Sequence, residues 1–321
     1  MYYNTSAFCL SYHIIPLRPM ENLPCCPACN STSLSFFLSC KDYTVSGQQF
    51  TVNQCLTCNL KFTNPRPSQA DIGPYYESDE YISHSNNSQG IINSLYQQVR
   101  KYTVNQKVNI VKNLLSKGSI VLDYGAGTGY FLSALSKANY KTLGIEPNDL
   151  ARAIAKKEND LDLSIPETLQ YSDKQSINCI TLWHVLEHVH ALQETIINFH
   201  SVLTTNGYLI IAVPNADSFD ASHYQEKWAA YDVPRHLYHF NQKSLTLLLS
   251  KSGFKHVKTK PMYFDSTYVS MLSEKYISKE TGNKPGPIKL LKGLFWGAIS
   301  NIYGLFSKNN YSSLIYIFQK S

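Results

Sequence analysis

The sequence is short of charge. Lys, Arg, Asp and Glu make up 16% of its 321 residues, well under the roughly 25% of an average soluble protein. Hydrophobic residues reach 43%, so the low-hydropathy balance of a disordered chain is excluded. No apolar run attains the roughly 18–20 residues of a spanning helix, which argues against an integral membrane protein. Residues 1–19 have neither a basic n-region nor a continuous apolar core, so no secretory signal is evident; they read as a dispensable extension ahead of Met20. Without export, thiols are expected to stay reduced and the protein to be cytoplasmic. Internal repeats and low-complexity tracts are also absent.

What is present is unevenly placed. The formal net charge is +6, yet residues 1–250 carry 18 basic and 20 acidic side chains, and residues 251–321 carry 11 and 3. A uniformly basic nucleic-acid coat is disfavoured by that distribution. The excess belongs to the C-terminal fifth and suggests a phosphorylated small molecule or an anionic membrane surface nearby. The length suggests two domains.

Four of the eight cysteines are paired by spacing, Cys26-Pro-Ala-Cys29 and Cys55-Leu-Thr-Cys58. Each C-x-x-C turn offers two thiolates to one ion. The intervening chain is long enough for a hairpin over roughly 35–39 and 50–53 that brings the turns together. Two such turns give a closed, structural four-thiolate zinc site, whose binding is coupled to folding. A redox C-x-x-C expects a βαβ context that is missing here, and disulfides would require export. Cys25 adjoins Cys26 and offers an alternative ligand; Cys9 and Cys40 have no partner spacing, and Cys179 reads as a core residue.

A proline pair, Pro65 and Pro67, forces an extended exit from this module. An aromatic, acidic stretch (75–81) follows, and then apolar residues at helical spacing over Asn93–Leu115, ended by Gly118. The chemistry begins at Ile120-Val-Leu-Asp123, a short buried strand. It runs into Tyr124-Gly-Ala-Gly-Thr-Gly129 and a helix over Tyr130–Ala138. Strand, glycine loop and helix together present backbone N–H groups and let a ligand approach closely. The spacing G-x-G-x-G differs from the dinucleotide G-x-G-x-x-G, and no Gly-Lys-Ser/Thr follows to make a Walker A loop. A second strand ends at Glu146, where a carboxylate can accept both ribose hydroxyls.

A third apolar strand, Ile177–Trp183, leads into His184-Val-Leu-Glu187-His188. The H-x-x-E-H order is that of inverted zinc peptidases, but there it lies within a helix, so the context here is wrong. A strand's carboxyl end is where an open α/β sheet keeps its ligand. Gly207–Pro214 is another buried strand. The alternation predicts an α/β fold, a parallel sheet wound on both faces.

On Asp123–Gly129, Glu146, Trp183–Val189 and Gly207–Asn215, the chain resembles the class I S-adenosylmethionine-dependent methyltransferases. It is similar to the subgroup carrying an N-terminal zinc-binding module, as in bacterial deoxysugar and surface-polysaccharide pathways. The resemblance covers about residues 20–260. It implies a Rossmann-like seven-stranded sheet with an antiparallel last strand, for which Tyr311–Gln319 is the candidate. It further implies S-adenosyl-L-methionine as cofactor, contacted by Asp123, Gly125, Ala126, Gly127, Gly129, Glu146 and His184, with Cys26, Cys29, Cys55 and Cys58 on structural zinc. The adenine contact is not placed, because 163–173 is poorly patterned and Asn178 stands where an aspartate is often found.

Trp228–Phe240 is a dense run of titratable and aromatic groups before a helix near Ser244, with Asn241 as N-cap. Related sugar C-methyltransferases carry Glu-His here; this chain has Arg235-His236. His236 suits a base that removes a proton alpha to a carbonyl, and Arg235 suits an enolate or phosphate. Each can equally be a packing residue. Tyr231, His239 and His184 are weaker candidates on the same logic. An apolar-rich helix over Pro287–Ser307, with Lys289, Lys292 and Lys308, is expected to pack on the sheet, with membrane-surface contact the less favoured alternative.

The expected organisation is an extension (1–19), a zinc module (20–75), a connector (76–118), a cofactor-binding core (119–260) and a basic region completing the sheet (261–321). The expected activity is methylation of a small molecule, a nucleotide-linked sugar or a surface-glycan precursor. An RNA methyltransferase is disfavoured because Lys41, Lys61 and Arg66 are balanced by Glu21, Asp42 and Asp71, whereas a phosphate grip should be positive. A non-catalytic scaffold is disfavoured by the intact glycine loop. No DNA partner is expected.

Overall fold

The computed structural model describes residues 19–77, 91–282, 286–307 and 309–321, with only the backbone of 91–97. Residues 1–18 of the expected extension and the end of the 75–81 stretch lie outside the described residues.

The cysteine-rich segment folds as short strands, β1 (Met20–Glu21), β2 (Leu34–Lys41), β3 (Gln49–Cys55), β4 (Lys61–Thr63) and β5 (Arg66–Pro67). β2 and β3 form the antiparallel hairpin, with Leu34 opposite Cys55. This sheet borrows its last strand: β10 (Tyr238–His239), from the far end of the core, pairs with β4. The module is therefore knitted into the domain that follows.

After α1 (Ile91–Lys112) the core alternates. β6 (Ile120–Tyr124), α2 (Tyr130–Lys137), β7 (Lys141–Ile145), α3 (Asp149–Asn159), β8 (Ile177–Trp183), α4 (Leu192–Val202) and β9 (Leu203–Pro214) come first. α5 (Phe219–Tyr224), α6 (Gln242–Lys251), β11 (Phe254–Pro261), α7 (Tyr263–Glu280), α8 (Pro287–Phe306) and β12 (Ser313–Lys320) complete the chain. The sheet order is β7-β6-β8-β9-β12-β11. β7, β6, β8 and β9 are parallel, and β12 runs antiparallel between β9 and β11. The last strand thus takes the expected direction.

Six strands are found among the described residues where seven were expected. Beyond β7 the chain makes a single parallel bridge, Ile145 to Ser164, and Pro166 then opens a 3-10 turn over Pro166–Tyr171. Proline supplies no N–H to a ladder, so a further strand cannot propagate past it.

Period-two alternation places the core. Leu209, Ile211 and Val213 of β9, with Leu314, Tyr316 and Phe318 of β12, face one side with α4 and α6. Ile210, Ala212, Ile315 and Ile317 face the other, under α1 and α2. The first side also takes Cys26, Cys55, Cys58, Leu60 and Phe62, which seats the cysteine module on the sheet. Asn241 caps α6 as expected, its side chain accepting Ser244 N–H at 2.8 Å.

α8 departs from its expected place. It packs on α7 through Gly293 and Gly297, while Gly304 lies against Tyr311 and the buried Ser300 donates to Asp220 at 2.9 Å. A Cβ at Gly297 would stand 2.5 Å from Thr267 Cα, so only glycine permits this approach. Its large side chains, Leu291, Phe295, Leu305 and Phe306, point outward and are exposed. Among the described residues no helix is long and apolar enough to cross a membrane.

Candidate active site

β6 delivers Asp123 and the glycine loop to one end of the sheet. Gly125 and Ala126 N–H groups both donate to Ile145 O, at 2.7 and 2.9 Å, tying the loop to the neighbouring strand. Gly125, Gly127 and Gly129 all have positive φ, the region that a Cβ disfavours. A Cβ on Gly125 would meet Val185 Cγ2 at 2.4 Å, whereas one on Gly127 would meet nothing within 4 Å. Open space beside Gly127, framed by polar groups, fits a ligand that approaches the backbone closely. Glu146 accepts from Gly127 N–H (2.8 Å) and Asn148 N–H (2.9 Å), so loop and acid are held together before any ligand arrives.

Asp123 is buried and accepts the Thr181 hydroxyl at 2.6 Å. Burial pushes its pKa up to about 7, against the opposing pull of that hydroxyl and of Lys107, and with Glu146 repelling its charge. Lys107 was not anticipated: a helix lysine normally reads as solvated, but here it lies 4.5 Å over the Trp183 ring. Burial lowers its pKa while Asp123 and Asp265 raise it. Asn178 accepts Ile120 N–H at 2.8 Å and so serves the sheet.

The pKa of Asp123 has a consequence for cofactor affinity. Should its carboxylate receive the cofactor's ammonium group, the proton it holds below pH 7 must first leave. Affinity for S-adenosylmethionine should then fall toward tenfold per unit as pH drops below 7, and change by only about twofold from 7 to 8. Calorimetric titrations from pH 5.5 to 8 would show this slope, and Asp123→Asn should flatten it. A wild-type affinity constant over that range would refute the role.

At the end of β8 the chain turns sharply. His184 adopts φ +58°, Val185 packs on Gly125, and Leu186–His188 form a 3-10 turn. His184 Nε2 lies 3.0 Å from Asp265 Oδ2 and its Nδ1 3.4 Å from Glu187 Oε1. Burial alone would lower the imidazole pKa, but the ion pairs outweigh it and lift it to about 10. His184 is thus held as a cation between two carboxylates. Asp265 comes from α7, some 80 residues away, and no local pattern announces it.

His188 and His236 meet at a ring-centroid distance of 4.7 Å. Burial, and then the neighbouring His236, bring the His188 pKa down to about 4. The structure therefore brings His184, Glu187, His188 and His236 together, next to the glycine loop through Val185. The H-x-x-E-H residues, set aside for their context, belong to this cluster.

Arg235 is not available to an acceptor. Its guanidinium donates to Asp232 (Nε 3.0 Å, Nη2 2.6 Å), Asp42 (3.1 Å) and Tyr75 O (2.9 Å), and its side chain is 1% exposed. It fastens the segment after β9 to the cysteine module, which is a structural task. Tyr231 is likewise buried, its ring against Trp228 and His239, and it belongs to the apolar cluster with Cys40, Phe50 and Tyr75. His239 faces Thr63 Oγ1 at 3.3 Å, and burial holds its pKa well below 6.5. None of the three joins the His188–His236 pair.

The basic excess does not converge on this site either. Lys255 and Lys258 are exposed on the edge strand β11, where lysine discourages edge pairing. Lys289 and Lys292 lie 3.7 and 3.4 Å from the buried Glu274.

A family model described as a methyltransferase domain matches residues 96–259, just over half of the chain. The fold is similar to that of an S-adenosylmethionine-dependent methyltransferase from Archaeoglobus fulgidus, at 16% identity and a TM-score of 0.48, over 72% of this chain and all of that one (100%). It is also similar to phosphoethanolamine N-methyltransferase 2 from Haemonchus contortus, at 19% identity and a TM-score of 0.46, over 67% of this chain and 52% of that one. No curated protein matches the chain in sequence. With the glycine loop, the strand-end acid and the mostly parallel sheet in place, the chain belongs to the methyltransferase-domain family, as a methyl-transferring enzyme with the class I S-adenosylmethionine-dependent fold.

Proposed function

We propose that the protein moves the methyl group of S-adenosylmethionine to a small molecule, a nucleotide-linked sugar or related glycan precursor, in the cytoplasm. The observation that carries this reading is the contact of Val185 with Gly125. It sets the His184–His188 turn and its partner His236 directly beside the loop that would cradle the donor. A methyl acceptor there would be aligned for in-line attack and deprotonated within the same cluster. Asp123, Gly125, Ala126, Gly127, Gly129, Glu146 and His184 are the residues we assign to the cofactor side, and His236 to the acceptor side. The sugar class rests on the resemblance of the cysteine module, since Arg235-His236 departs from the Glu-His of the sugar C-methyltransferases.

The cysteine module would hold structural zinc. Cys26 and Cys58 Sγ atoms are 3.5 Å apart, as are those of Cys29 and Cys55, and all four lie within 4.8 Å of one another. Zinc–sulfur bonds of about 2.3 Å set tetrahedral edges near 3.8 Å, so the donors fit. The two turns share a backbone plan: Asn30 N–H donates to Cys26 O and Asn59 N–H to Cys55 O, each at 2.9 Å, with Asn30 and Asn59 both at positive φ. Four thiolates on zinc would leave this module negative, which weighs against RNA as the acceptor.

Radiolabelled methyl transfer tests the acceptor class. Nucleotide-sugars, quinone precursors and bulk RNA are offered in parallel with labelled cofactor. Label should enter the nucleotide-sugar fraction; label in RNA alone, lost as salt is raised, would replace this reading with the RNA one.

A further inference from the structure

Glu187 is completely buried, and neither of its carboxylate oxygens has a hydrogen-bond partner among the described residues. His184 stands at ion-pair distance from one of them without completing a hydrogen bond. A buried carboxylate with one ion pair and no hydrogen bond is short of partners, and such groups point to a missing water or ion.

Two imidazoles converge on it. One donor atom each from Glu187, His188 and His236 lies within 4.8 Å of the others. Both rings are oriented from behind. His236 Nδ1 is 2.8 Å from Ala230 O, and His188 Nδ1 is 3.0 Å from Arg235 O. A carbonyl only accepts, so each Nδ1 faces it as the donor, the Tyr76 hydroxyl lying 3.0 Å from the same His188 nitrogen; Nε2 is then the atom of each ring left to ligate. Metal-bound histidines are held in this way, with the second nitrogen donating to a backbone carbonyl or carboxylate. Leu237 N–H donates to Glu187 O at 2.8 Å, which locks the third donor's segment to the first two. Asp232 Oδ2, 4.0 Å from His236 Nε2, adds negative charge nearby.

We propose that Glu187, His188 and His236 bind a divalent first-row cation beside the acceptor. Two imidazoles and one carboxylate suit Mn²⁺, Fe²⁺, Co²⁺ or Zn²⁺ and leave coordination positions open. This site is separate from the four cysteines. It deepens the methyltransferase reading and rests on it for what the ion does: it draws an acceptor hydroxyl onto an open position and lowers that hydroxyl's pKa. The proton departs to solvent. The oxygen then forms a bond to the sulfonium methyl carbon as the carbon–sulfur bond breaks, and that electron pair stays on the sulfur of S-adenosylhomocysteine. His236 is thereby assigned to the ion rather than directly to the acceptor's proton.

Electron paramagnetic resonance of Mn²⁺ titrated into the full, zinc-loaded chain reads the site, because Mn²⁺ competes poorly for thiolates. One Mn²⁺ site per chain is expected. Its affinity should fall at least about 100-fold in Glu187→Gln and in His236→Gln. Melting temperature and S-adenosylmethionine titration on the same samples report folding. Should Glu187→Gln fail to fold, His236→Gln, at a position 12% exposed, carries the comparison. Wild-type protein that takes S-adenosylmethionine but no Mn²⁺ would overturn the metal site, as would folded variants with undiminished Mn²⁺ affinity. Mn²⁺ binding without S-adenosylmethionine binding would instead overturn the cofactor reading.

Discussion

Cys58→Ser is expected to release the zinc and to unfold more than the module that holds it. Apparent zinc-binding free energies in small finger peptides are about 10–16 kcal/mol, and in such modules that energy is folding energy. Here the loss would spread along identifiable links. β4 would lose its pairing with β10, Arg66 its bond to the Tyr238 hydroxyl (2.9 Å), and Lys61 its bonds to Ala216 O and Asp217. Tyr238 and its neighbour His236 would then be unanchored beside the acceptor. Metal content should drop from about one zinc that survives dialysis against a weak chelator to nearly none, with a much lower melting temperature. Cys25→Ser, at a cysteine outside the four-atom cluster, should change neither. Native zinc content and melting temperature in Cys58→Ser would remove zinc from the account.

Asp42→Ala should destabilise the protein by about 3–5 kcal/mol, the usual cost of stripping one partner from a buried ion pair. Asp42 side-chain oxygens accept N–H groups from Thr44, Val45 and Ser46, which shape the turn between β2 and β3, and one of them also meets Arg235 at 3.1 Å. Neither side chain is more than 1% exposed, so solvent cannot substitute. For a chain of this size the melting temperature should fall by roughly 5–8 °C. Arg235→Leu should cost a similar amount, because Asp42 and Asp232 are then left facing each other without their cation. The double variant should lose less than the two singles together. If Arg235→Leu melted like the wild type yet lost turnover, the arginine would return to the acceptor.

The parts that sequence reasoning recovered are those set by local periodicity or local chemistry. The apolar run of Gly207–Pro214 marks a buried strand from its own composition, whereas Tyr311–Gln319 is identified as the last strand by the resemblance. Asn241 announced its helix because a cap acts within one turn. The glycine loop at 125, 127 and 129 is legible from spacing, and its positive φ values are what the structure adds. What failed depended on distant partners. Arg235 looks the same in sequence whether it meets a substrate or Asp42, and the 193 positions between those two hide the answer. Asp265 reaches His184 from α7 with no motif to advertise it. α8 makes its close contact through glycines, so its apolar composition alone points wrongly to the sheet. The strand context of H-x-x-E-H excludes a peptidase, and nothing local shows that His236 joins Glu187 and His188. A seventh strand was expected from resemblance, and Pro166 stops it.

The central claim is that the loop from Gly125 to Gly129, with Glu146, receives S-adenosylmethionine. Calorimetric titration of the cofactor into wild-type protein and into Gly127→Val tests it most directly. The valine side chain would occupy the open space beside the loop, since nothing stands within 4 Å of a Cβ there. Its φ of +55° adds a strain of roughly 1–2 kcal/mol. One cofactor per wild-type chain is expected, with an affinity lower by more than tenfold in a folded variant. A wild-type chain that takes up no cofactor, or a folded Gly127→Val that binds it equally well, would contradict it.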